Sequence, residues 1–209
     1  MAIFSRTLVL ASNNAGKLRE FADLLAPAGI TLIPQPALGI PEAQEPHPTF
    51  IENALAKARH AAAACGLPAL ADDSGLCVHA LNGAPGVHSA RFAQRAGGMR
   101  NEAANRAAVL NQLATHTDRH AYYICVLAYV AHAKDSAPIL AEARWYGEIA
   151  AAPRGERGFG YDPIFYLPDL DKTVAELTPA EKNAHSHRAC AVRHFLARLL
   201  KEKAAYSST

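Results

Sequence analysis

Two clusters of residues in this chain have the types and spacing for phosphate chemistry. Ser12-Asn13-Asn14-Ala15-Gly16-Lys17 follows the apolar run Thr7 to Ala11 and precedes Leu18, Phe21, Leu24 and Leu25, which recur at helical spacing. A small polar loop between strand and helix turns free backbone N–H groups and the positive end of the helix dipole toward an anion. Lys17 adds a point charge. The second cluster is Asp72-Asp73-Ser74-Gly75, after a short apolar run. Two adjacent carboxylates at a strand end are costly unless a positive charge sits near them. Mg²⁺ suits such a site, because it takes one or two carboxylates and completes its shell with substrate phosphate oxygens.

Each cluster also has a plainer reading. The first is not a Walker A loop: Ala11 stands in place of the leading Gly and Leu18 in place of the metal-binding Ser/Thr. Any metal must therefore be held by carboxylates from elsewhere, and an ordinary strand–helix turn with a solvated Lys fits the loop as well. Asp-Ser-Gly is good turn chemistry, so an Asx-turn over 72–75 is the alternative to a metal site. Adjacent residues on a strand point to opposite faces, which would leave one of the two carboxylates facing a site.

Three further segments could complete a nucleotide site. Gln44-Glu45 places a carboxylate on a Pro-rich loop, where a solvated Glu is the alternative. Phe159-Gly160-Tyr161-Asp162-Pro163 spaces aromatics with Gly, which lets a ring stack on a base; a turn with two core aromatics fits equally. Lys182 and the pair His187-Arg188 lie at the end of one helix and the first turn of the next. Cations in a first helical turn oppose the macrodipole unless an anion is near. The other histidines show no zinc spacing.

The elements that must position these residues alternate. The pattern predicts strands over 7–12, 30–34, 69–71, 76–80, 121–131 and 139–149. It predicts helices over 14–26, 49–65, 101–113, from 178, and from 186 to about 203, with a frayed tail over 204–209. Thr49 with Glu52, and Thr178 with Pro179 and Glu181, read as helix starts with capping boxes. Such alternation, with two long strands side by side, indicates an α/β fold with a mixed sheet.

Bulk properties fit a small-molecule enzyme. At 209 residues, half of them hydrophobic, the chain can bury a sizeable core. The net charge of +2 gives no field for duplex nucleic acid. Cys65, Cys77, Cys125 and Cys190 form no C-x-x-C pair and read as reduced core residues. No signal peptide and no membrane-length apolar run is present, so a soluble cytoplasmic protein is expected.

The segments Ser12–Lys17, Thr49-Phe50-Ile51-Glu52-Asn53-Ala54, Ala71–Leu76, Gly83-Ala84-Pro85-Gly86, Gly158–Pro163 and Ser186-His187-Arg188 together resemble the inosine triphosphate pyrophosphatases, in that family's order and from about 7 to 200. The resemblance implies Mg²⁺-dependent hydrolysis of dITP, ITP and XTP to the monophosphate and pyrophosphate, clearing deaminated purines from the nucleotide pool. It implies a homodimer. It also implies one elongated two-lobed α/β domain, a mixed sheet flanked by helices, with the active-site cleft between the lobes. Carried over by motif, Asp73 would be the catalytic carboxylate and, with Glu45, a metal ligand. Ser12, Asn13, Asn14, Ala15, Gly16, Lys17 and Ser74 would hold substrate, as would Phe159, Gly160, Tyr161, Asp162, Lys182, His187 and Arg188. Many members carry a Glu pair where this chain has Gln44-Glu45. The rival readings are a septum-formation-inhibitor-like pyrophosphatase of related fold, and a sensor that binds nucleotide without cleaving it.

Overall fold

The structure, a computed structural model, describes residues 6–207. Seven strands form one mixed sheet in the order β2-β1-β3-β4-β5-β6-β7. They are β1 Thr7–Ala11, β2 Thr31–Pro34, β3 Ala69–Val78, β4 His120–Val130, β5 Ile139–Ile149, β6 Phe165–Leu167 and β7 Lys172–Thr173. The helices are α1 Ala15–Leu25, α2 Phe50–Cys65, α3 Phe92–Arg95, α4 Glu102–Gln112, α5 Pro179–His185 and α6 His187–Ser207. The α/β class and the mixed sheet agree with the sequence pattern.

The chain divides into two compact units. The first comprises the chain up to Asp73, Cys125–Ala143 and the chain from Arg188 onward. Here β1 lies parallel to both β2 and β3, with Val9 opposite Ile33 on one side and Ala69 on the other. Parallel neighbours require crossovers, and α1 and α2 supply them. With strands on both flanks, Leu8 to Ala11 is buried on both faces, which accounts for its continuous apolar run. Phe21 and Leu25 of α1 and Val192, Phe195 and Leu199 of α6 pack on Leu10, Leu70, Leu127 and Tyr129.

The second unit comprises Ser74–Ile124 and Arg144–His187. Its core gathers Leu76, Val78, Val109, Leu113, Tyr123, Ile149, Tyr161, Ile164 and Phe165. The hairpin partners β5–β6 and β6–β7 are antiparallel.

The short elements α3, β6 and β7 are not in the predicted pattern, and three of the predicted elements differ from it. β3 runs without interruption through Asp72-Asp73-Ser74-Gly75, so these residues are strand and not an Asx-turn. Their turn-like composition is overridden by burial on both sides and by the cations described below. The Thr49 hydroxyl caps α2 by accepting the Glu52 N–H, but the Glu52 carboxylate meets that hydroxyl and not the Thr49 N–H. The full reciprocal box forms at Thr178 and Glu181. Finally, α6 continues to Ser207, past the expected end near 203, while 208–209 lie outside the described residues.

Candidate active site

The first unit concentrates charge on β3. Because strand side chains alternate, Asp72 and Asp73 reach different partners. The Asp72 carboxylate receives the Lys17 ammonium at 2.5 Å on one oxygen and the Cys125 thiol at 3.1 Å on the other. Burial opposes its ionisation, but Lys17, with Arg188 and Lys57 behind it, outweighs burial and holds the carboxyl well below the usual carboxylate range. Asp72 is thus a permanent anion that fixes Lys17. Cys125 is a buried thiol, pushed up by burial and by Asp72, as its reading as a reduced core residue requires.

Asp73 has the opposite character. Its Oδ1 accepts from Lys57 Nζ at 2.9 Å, while its Oδ2 is buried without a hydrogen-bond partner. Burial raises its pKa, only partly offset by Lys57 and Lys17. A buried carboxylate oxygen left without a donor is uncommon and calls for an explanation, such as an ion. Its raised affinity for protons makes it the better base of the pair.

Helix α2 builds the rest of this site. Asn53, Ala54, Lys57, Ala58, Ala61 and Ala62 form its buried stripe, and the four alanines are small enough to bring the helix close to the sheet. Asn53 both donates to the His47 carbonyl and accepts from the His47 N–H, which pins the Pro-rich loop. One turn later, Lys57 reaches Glu45 Oε1 at 2.9 Å while holding Asp73. Gln44 is exposed, and Glu45 turns toward Lys57. Burial works against the charge on Lys57, but Asp73, Glu45 and Asp72 outweigh it and push its pKa up to about 12. Lys57 is not among the residues the sequence pattern singles out. The available signal was a Lys on the alanine face of α2, four residues after Asn53.

The residues fit a hard divalent cation. Glu45 and Asp73 offer oxygen donors to one cation, and Asp73 Oδ2 has capacity unused. Among the described residues, no three His, Cys, Asp or Glu side chains gather into a closed site. Two carboxylates alone make an open site of the kind Mg²⁺ occupies together with phosphate oxygens.

The loop after β1 is locally ordered. Asn14 caps α1 by accepting the Lys17 N–H at 3.0 Å, and the Ser12 hydroxyl accepts the Asn14 N–H. Asn13 accepts from buried Gln35 at 2.8 Å. These contacts engage the side chains of Ser12, Asn13 and Asn14 and leave Ala15 and Gly16 at the helix N-terminus, where backbone N–H groups have no intrahelical acceptor. Arg188, at the start of α6, pairs with Glu20 at 2.7 Å, a partner the sequence did not reveal.

The second unit carries the remaining candidates, and here aromatic rings dominate. Asp162 is buried and saturated: it accepts from Lys182 Nζ at 2.6 Å, the Phe159 N–H at 2.9 Å and the Tyr123 hydroxyl at 3.1 Å. It therefore orients its neighbours and is not poised to read a base edge. Lys182 Nζ lies 4.8 Å from the centre of the half-buried Phe159 ring. Gly158 has φ +76, and a Cβ there would collide with the Asp162 carboxylate, so only Gly allows this turn. The Gly160 carbonyl accepts from Arg106 at 2.7 Å.

Tyr161 is a core residue whose hydroxyl donates to the Ser89 carbonyl at 2.8 Å, so of the two aromatics only Phe159 is placed to stack on a ligand. His187 is almost fully buried, stacked on Tyr123 at 4.7 Å and beside Trp145 at 6.4 Å. Ser74 sits half-buried in β3.

A sequence model of the Ham1 family matches residues 8–198. A Ralstonia nicotianae protein named dITP/XTP pyrophosphatase is 64% identical over 194 residues, covering 93% of this chain and 96% of that one. A Neisseria meningitidis protein of the same name is 54% identical, covering 92% and 96%. Among solved structures, a HAM1 protein from Coxiella burnetii is 49% identical with a TM-score of 0.84, covering 94% of this chain and 98% of that one. The Staphylococcus aureus Ham1 protein is 40% identical with a TM-score of 0.81, covering 94% and 99%.

Proposed function

The chain belongs to the Ham1 family, and from that membership we propose that it hydrolyses dITP, ITP and XTP to the nucleoside monophosphate and pyrophosphate, removing deaminated purines from the nucleotide pool. The observation that carries the reading is Asp73: a buried carboxylate, raised in pKa, with one oxygen on Lys57 and the other without a donor. That is the profile of a base waiting for a proton, in a chain whose relatives are named dITP/XTP pyrophosphatases.

Asp73 takes a proton from water as that water attacks the α-phosphorus. The bond from the α-phosphorus to its bridging oxygen breaks, and pyrophosphate leaves. Lys17, locked in place by Asp72, and the N–H groups at the start of α1 hold phosphate oxygens. Asp73 and Glu45 would hold Mg²⁺, which would neutralise charge on the phosphates.

On the second unit, Phe159 offers a ring face and Lys182 a donor. Donors suit the 6-oxo group of hypoxanthine and xanthine, and a site built from donors is left unsatisfied by the amino group of adenine. No helix among the described residues is long and apolar enough to cross a membrane. The reading takes the enzyme as a cytoplasmic homodimer, as the motif resemblance implies.

The test is to incubate the protein with Mg²⁺ and each of dITP, ITP, XTP, GTP and ATP, assaying pyrophosphate apart from orthophosphate. Pyrophosphate from the first three, with little from GTP or ATP, is the expected result. Orthophosphate would move attack to the γ-phosphorus. Binding without any product would favour the sensor, and preference for other nucleotides the related pyrophosphatase.

A further inference from the structure

Lys57 holds the position that a cation between Glu45 and Asp73 would take. Its Nζ lies 2.9 Å from Glu45 Oε1 and 2.9 Å from Asp73 Oδ1, and its side chain is 9% exposed. Lys17, the other ammonium of this cluster, is committed elsewhere, to Asp72. Without a cation the two carboxylates would repel one another as like charges with little solvent between them. Lys57 relieves that repulsion and keeps the Glu45 loop drawn toward β3, with Asn53 clamping the same loop at His47.

An ammonium and a metal ion make different demands on the same oxygens. Mg²⁺ needs ligand oxygens at about 2.0–2.1 Å, and an ammonium held against the same two carboxylates repels it and neutralises part of their charge. We infer that Lys57 is the resident cation of the nucleotide-free site and that it competes with a divalent ion for the charge of Glu45 and Asp73. This rests on the reading of Glu45 and Asp73 as metal ligands. The consequence is an order of events: with Lys57 seated, one negative charge remains on the pair, too little to strip water from Mg²⁺. The ion therefore enters with the phosphates, which bring the missing charge and oxygens, and the protein alone keeps a low affinity for it.

The test uses Mn²⁺ alone, without nucleotide, followed by the loss of the free-ion electron paramagnetic resonance signal. Lys57→Met keeps the length of the side chain and removes its charge. The variant is expected to bind Mn²⁺ about tenfold or more tightly than the unmodified protein. Its melting temperature is expected to rise with Mn²⁺ by more than that of the unmodified protein. Lys17→Met removes the same charge without vacating the position between the carboxylates, and is expected to tighten Mn²⁺ binding far less. If Lys57→Met does not fold, Lys57→Gln gives the same comparison.

Equal or weaker Mn²⁺ binding by the Lys57 variant overturns the inference. So does equal tightening by Lys17→Met, which would reduce the effect to general electrostatics. No Mn²⁺ binding by any of these proteins would also overturn it, because removing Lys57 would then not have opened the site to the ion. Because the titration contains no nucleotide, its outcome is separate from the pyrophosphate assay: a protein that cleaves dITP normally can still fail it.

Discussion

The two units use buried polar groups in opposite ways. In the first, cations and carboxylates alternate on β3 and α2, and one oxygen, Asp73 Oδ2, has no hydrogen-bond partner. In the second, Asp162 is saturated by three donors and wrapped in rings: Phe159 under Lys182, and Tyr123 between Phe165 and His187. Saturated networks rigidify, while partly satisfied ones hold reactive capacity at a cost in stability. The first unit keeps an underused carboxylate oxygen among buried, paired charges. The second holds a rigid, flat-sided frame suited to recognising a planar ring.

Substitutions should separate these roles. Asp73→Asn removes the base without changing its size. It is expected to lower kcat on dITP by roughly a thousandfold while leaving KM within a few-fold, in steady-state pyrophosphate assays. If kcat survives, the first unit is not the reacting one. Lys17→Met leaves Asp72 buried and without its nearest cation. The expected loss is about 3 kcal/mol of stability by urea denaturation, since removing one partner of a buried pair strands the other charge. On the second unit, Phe159→Ala should raise KM for dITP by roughly tenfold with kcat nearly unchanged, from the loss of about 1–2 kcal/mol of base stacking. A fall in kcat instead would erase the division between the units.

The smallest effect lies in pH. The folded-state pKa of Lys57 is raised from its ordinary 10.5 to about 12. Its contribution to stability is therefore complete below pH 10.5 and lost as pH rises through about 12. Asp72, held low in the fold, contributes in the opposite range: fully above its ordinary 3.8, and lost as pH falls further. Thermal melts of the unmodified protein and Lys57→Met should diverge below pH 10.5 and converge above about 12.

Much of this was legible in the chain. The continuous apolar run before Ser12 marked a strand buried on both faces, and the Thr178 box, with Pro179 after it, marked the start of α5. The motif order singled out Asp73 and Glu45, which the structure brings together on Lys57. What escaped were groups whose role depends on distant partners. The pairing of Lys57 with Asp73 spans 16 residues and that of Tyr123 with Asp162 spans 39, and neither follows any local period. Asp72–Gly75 has the composition of a turn and becomes strand only because Lys17 and Lys57 neutralise it from α1 and α2. Tyr161 looked like a stacking ring, but its hydroxyl finds the Ser89 carbonyl in the core, a contact no spacing rule anticipates.

The central step of the proposed reaction is attack of water on the α-phosphorus with Asp73 as the base. The most direct measurement is hydrolysis of dITP in ¹⁸O-labelled water, with mass analysis of both products. The account predicts one labelled oxygen in the monophosphate and none in the pyrophosphate. Label in the pyrophosphate would place attack on the β-phosphorus and contradict it.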